Sequence, residues 1–117
     1  MEIFKYTKEF GKHITQFDSD FTMTRIGRLE KTTHVGCMYL EKNGNIGNHQ
    51  AITPQLLLII SGQGYVKGKE NAFTEVSTGH AIFWDKGEWH ETKTVNGMTA
   101  LVIESEDLSS SLLSHLS

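Results

Sequence analysis

An all-β barrel closed by one short C-terminal helix is the fold class this sequence predicts, and three features of the chain predict it. Segments rich in β-branched and aromatic residues are separated by turn signals at Asn43-Gly44, Gly62-Gln63-Gly64, Thr78-Gly79, Lys86-Gly87 and Asn96-Gly97. Short strands punctuated in this way fit a sandwich or barrel rather than strands alternating with helices. The length of 117 residues fits one domain and leaves no room for a second. The one helical stripe stands at the end, where Leu108, Leu112, Leu113 and Leu116 fall at i, i+4, i+5 and i+8.

In chain order, strands are expected near residues 2–6, 12–17, 21–29, 33–41, 55–61, 64–70, 80–84, 90–95 and 98–104. The fourth holds the apolar run Val35-Gly36-Cys37-Met38-Tyr39-Leu40, in which Cys37 reads as a buried small hydrophobe rather than a reactive thiol. Asn43 to Asn48 reads as a glycine-bearing turn that delivers His49 to the start of a strand, ahead of Pro54-Gln55. The fifth strand contains the longest apolar run, Leu56 to Ile60. Trp84-Asp85-Lys86-Gly87-Glu88-Trp89 is a tight turn leading into the strand that begins at His90. Asn96-Gly97 is the sharpest turn signal, since a type I′ hairpin needs positive φ at both central residues. Ser105 is placed to cap the terminal helix, with Glu106 and Asp107 in its first turn suiting the helix dipole.

Composition excludes several classes. The net charge is −3 and the densest basic pair is Lys67 and Lys69, too little to track a phosphate backbone, so no nucleic-acid partner is expected. No apolar run approaches a membrane span. A single cysteine cannot form an internal disulfide, and the opening residues lack a signal-peptide layout. The expectation is a soluble cytoplasmic protein.

Among six histidines, His49 and His90 stand out because a loop delivers each to the start of a strand, aimed at a barrel mouth. His34 is a candidate for the pocket wall and His80 a weak further ligand, while His13 and His115 need no functional explanation. Glu88 and Glu91 flank the turn before and after His90 and would serve as a general base only if turned inward. No Ser–His–Asp order or phosphate-cradling glycine loop is present.

At these residues the chain resembles the cupin family. That family's first motif runs glycine, His-x-His, glutamate, glycine, and its second runs glycine, Pro-x-Gly, histidine, asparagine. Here the first, about residues 44–62, reads His49-Gln50-Ala51, Gln55 and Gly62, with Gly44 one residue from the opening glycine. The second, about residues 79–94, reads Gly79, Asp85-Lys86-Gly87, His90 and Thr94. The resemblance implies a single double-stranded β-helix (jelly-roll) barrel over residues 1–117. It also implies a metal site at His49, Gln55 and His90. Ala51 stands where the family has its second histidine, and Gln55 where it has its glutamate. Two imidazoles and a neutral amide hold a divalent ion (zinc, iron, nickel or manganese) more weakly than the complete set would.

If Gln55 faces inward, the period of two sends Leu57 and Ile59 inward with it, and Leu56, Leu58 and Ile60 outward. A strand apolar on both faces must be covered on both. The C-terminal helix or a second subunit would do so, and because small cupins often pair, a homodimer is expected. Trp84 and Trp89 are further candidates for the pocket wall. The expected function is that of a small-molecule-binding cupin. The alternative is a metal-dependent small-molecule enzyme of isomerase, dioxygenase or lyase type.

Overall fold

The computed structural model describes residues 1–117, and its ten strands precede a short helix. They are β1 (Glu2–Lys5), β2 (Lys12–Ile14), β3 (Phe21–Met23), β4 (Thr33–Leu40) and β5 (Asn45–Gln50). The others are β6 (Gln55–Lys67), β7 (Thr74–Ser77), β8 (His80–Trp84), β9 (Trp89–Lys93) and β10 (Met98–Ser105). Helix α1 (Ser110–Leu113) continues into a 3-10 turn, Ser114–Leu116. No helix is long and apolar enough to cross a membrane.

Strand β6 builds the barrel because it belongs to two sheets. Its first half pairs antiparallel with β8 and β10, in a sheet ordered β1-β8-β6-β10-β4. Its second half pairs with β7 and with β9, which in turn holds β5. The passage from one sheet to the other falls at Gly62, where φ is +88° and a Cβ would collide with the Gly97 carbonyl oxygen. Only glycine meets both demands at once. A bulge at Ile60 of β6, which has no partner between Thr99 and Ala100 of β10, lies beside this corner, where a bulge sharpens the bend.

Alternation along β6 sorts the apolar residues into two cores. Leu57 and Ile59 join Val66, Ile82, Trp84, Ala100 and Val102 inside the barrel. Leu56 and Leu58 join Phe4, Phe83, Leu108, Leu113 and Leu116 on the outside. The two-sided strand is thus covered within the chain by the C-terminal segment. Of the face from which the homodimer was argued, Leu56 and Leu58 are covered without a second copy, while Ile60 stays exposed.

Several expectations are corrected. Residues 55–61 and 64–70 form one strand, since the Gly62-Gln63-Gly64 cluster bends β6 rather than ending it. Residues 45–50 are not a turn but strand β5, and the turn is Glu41 to Gly44, closed by the Gly44 amide on the Glu41 carbonyl at 2.8 Å. β7 was not foreseen. The strands expected over 12–17 and 21–29 shrink to the short pair β2–β3. Asn96-Gly97 is not a type I′ hairpin: only Gly97 takes positive φ, and the turn carries the chain from β9 to β10, which do not pair with each other. Cys37 is exposed rather than buried, because β4 is an edge strand that turns Val35, Cys37 and Tyr39 outward. Ser109, not Ser105, caps α1, its hydroxyl accepting from the Leu112 amide at 3.1 Å. Ser105 accepts from Asp107, whose carboxylate in turn holds the amides of Glu30 and Lys31.

Candidate functional site

His49 and His90 reach one another through a strand irregularity. Two-residue alternation would put Ile46 and His49 on opposite faces of β5. The pairing with β9 shifts between them, so that Ile46 faces Thr92 while His49 faces His90. One extra residue in β5, around Gly47 and Asn48, returns His49 to the inner face, which is how a bulge re-aims a side chain. The two imidazole centroids lie 4.3 Å apart, tilted by 55°.

The rings share one tautomer. Nδ1 of His49 lies 2.8 Å from the Gly47 carbonyl oxygen, and Nδ1 of His90 lies 3.2 Å from that of Glu88. A carbonyl only accepts, so each Nδ1 carries the proton and each Nε2 presents a lone pair. His90 is only 2 % exposed, and its Nε2 is the one buried side-chain polar atom without a hydrogen-bond partner. Behind it Trp84 stacks at 4.5 Å, held by its indole N–H on the Lys67 carbonyl.

Both histidines belong to the wall of a cavity of about 170 Å³ that also includes Gln55, Leu57, Met38 and Ala51. The structure therefore brings His49, Gln55 and His90 to one space. No cluster of three or more histidine, cysteine or carboxylate side chains has metal-holding geometry. Of the other candidates, Leu57 is on the wall. Ile59 and Trp84 lie in the core beneath it. Trp89 points outward by strand alternation and is half exposed, and His34 is exposed and off the wall. His80 accepts from the Ser77 amide at 3.0 Å and fixes a turn. Glu88 is turned away to the Asp85 amide and the amino group of Met1, and Glu91 lies 3.7 Å from Lys67.

One charged wall residue was missed. Glu104 borders the cavity and is the direct cross-strand partner of Gln55. Its signal was present in β10, where Ala100 and Val102 occupy inward positions and Glu104 is the next in the same alternation.

Burial pulls the His90 pKa below the usual imidazole value, and neighbouring His49 adds to this; the bond to the Glu88 carbonyl and the charges of Glu88 and Glu104 oppose it. Below about pH 6.5 the unfolded chain takes up a proton that native His90 refuses. Stability should therefore fall as pH drops from there toward the lower folded value, and be flat above it. Urea unfolding at about pH 7.5 and 5.5 should show a larger loss for the wild type than for His90→Phe; equal losses would assign the decline to other groups.

No family model and no curated protein matches the chain. Solved structures do. An RmlC-like cupin from Shewanella frigidimarina superposes with a TM-score of 0.60 at 14% identity, over 63% of this chain and 66% of that one. An RmlC-like cupin with a double-stranded β-helix fold from Methanocaldococcus jannaschii gives 0.60 at 11% identity, over 67% and 73%. A DMSP lyase from Ruegeria pomeroyi gives 0.60 at 20% identity, over 68% of this chain and 41% of that one. At these identities the likeness is one of fold.

Proposed function

We propose that this chain, whose fold is that of a cupin, binds a small molecule in the barrel cavity with a divalent transition metal held by His49, His90 and Gln55. The observation that carries this reading is Nε2 of His90, buried and unpartnered on a residue of the cavity wall whose ring lies 4.3 Å from that of His49. Leaving a buried polar atom unpaired costs about 1–3 kcal/mol, a cost that a cation at the lone pair removes. Two imidazole nitrogens and an amide oxygen fit zinc, iron, nickel or manganese, without the charge of a complete ligand set. When bound, the ion offers a Lewis-acid position to a ligand oxygen or nitrogen. The cavity equals about five or six waters at roughly 30 Å³ each. It admits a small ligand, or the polar end of a larger one entering past the exposed Ile52.

The catalytic alternative, a metal-dependent isomerase, dioxygenase or lyase, draws on Glu104, a carboxylate on the same wall able to take a proton from a bound ligand. Binding is preferred because the cavity holds no second acid–base group free of the proposed metal.

Calorimetric titration of tag-free protein with Zn²⁺ or Mn²⁺ tests the reading. One ion per chain is expected, and His90→Ala should weaken it by at least about 100-fold, beyond the 10–100-fold typical of outer-sphere losses. Uptake by His90→Ala equal to wild type, or none by wild type, would sink the metal assignment.

A further inference from the structure

Position 55 brings no charge to the two imidazoles, yet the cavity is not without an anion. Glu104 sits on its wall, directly opposite Gln55 across the β6–β10 ladder. Directly opposed residues on one face of an antiparallel pair have Cβ atoms about 4.5–5.5 Å apart. No lysine or arginine lines the cavity, and Glu104 takes part in no salt bridge, so no side-chain cation of the protein answers its charge there. On its other side, across β4, stands exposed His34. The remaining acids near the site, Glu88 and Glu91, are committed to the Met1 amino group and to Lys67.

Resting on the metal reading above, we infer that Glu104 is the anionic partner of the cation in this cavity, supplying from β10 the charge that position 55 does not supply from β6. The neutral residue at 55 follows from the same placement. Two carboxylates directly opposite each other on one sheet face repel, so a glutamate at 104 favours an amide at 55. Because no carboxylate or further imidazole stands in ligating position beside the two histidines, Glu104 acts through its field on the ion. It is a positioning residue rather than a ligand.

The test is Zn²⁺ or Mn²⁺ titration of four variants, Glu104→Gln, Gln55→Glu, the two combined and His90→Ala, with wild type alongside. Glu104→Gln should bind about tenfold more weakly. The transposed pair, Gln55→Glu with Glu104→Gln, should return to wild-type affinity or better. Metal-free urea unfolding of the same set reports the pair without any ion. Gln55→Glu alone should be destabilised, and adding Glu104→Gln should relieve part of that loss. Wild-type affinity in Glu104→Gln, beside lost affinity in His90→Ala, would overturn the role of Glu104 while leaving the metal site standing. No uptake by wild type would instead remove the metal reading and this role with it, and additive stabilities would then also dissolve the pairing of 55 with 104.

Discussion

Deletion of residues 106–117 should leave a chain that aggregates and shows no cooperative unfolding transition. Leu108, Leu113 and Leu116 are buried against Leu56, Leu58, Phe4 and Phe83 on the outer face of the main sheet. Burying each leucine stabilises by about 1.5–3 kcal/mol, so the three together approach the 5–15 kcal/mol that holds a typical domain folded. The deletion also frees the amides of Glu30 and Lys31 from Asp107. A milder variant keeps the idea testable if the truncated chain cannot be recovered. Leu113→Ala, at a fully buried position, should cost about 2–5 kcal/mol in urea unfolding. A soluble truncated chain with an unchanged transition would show that something else covers this face. Light scattering on the full chain decides the expected homodimer separately.

Gln55→Glu should change sign with the metal. Gln55 is 8 % exposed and faces Glu104, so without metal a new carboxylate is nearly buried beside a like charge. The cost should be about 2–4 kcal/mol near neutral pH. With Zn²⁺ or Mn²⁺ present, attraction between unit charges at contact is several kcal/mol at an effective dielectric near 20, partly cancelled by desolvation. A net gain of about 1.4 kcal/mol would read as roughly tenfold tighter binding. Denaturation and titration of one variant therefore give opposite signs. Destabilisation in both conditions, with no gain in affinity, would place any ion away from position 55.

The fold class was legible because its signals are local and periodic. The alternation in β6 separates Gln55, Leu57 and Ile59 from Leu56 and Leu58, and the terminal leucines fall on one stripe. The shared cavity of His49, Gln55 and His90 could be anticipated from motif spacing and that same alternation. What escaped was set by partners distant in the chain. Asn45 to Gln50 has the composition of a turn, with two asparagines and a glycine, and becomes a strand only because β9 offers it a ladder. Cys37 sits in an apolar run that looks like core, but nothing in the run reveals that β4 lies at the edge of the sheet. Glu104 was hidden differently. Its inward direction was readable from Ala100 and Val102, but a charged residue at the end of a strand reads as surface until its register with Gln55 is known.

The unequal anchoring of the two imidazoles bears on how anything enters or leaves. His90 lies on β9, which is hydrogen-bonded on one side to the long shared strand, and its ring rests on Trp84 in the core. His49 lies on β5, whose only ladder partner is β9. Opening β5 breaks one set of backbone bonds and withdraws only the half-buried Ile46 from the edge of the inner core, whereas moving β9 disrupts the framework of the barrel. Local opening free energies follow such differences, running from near zero at lightly held segments to the full global value in core strands. One imidazole is thus fixed to the frame and the other hung on a lighter strand, and amide hydrogen exchange should be faster in β5 than in β9.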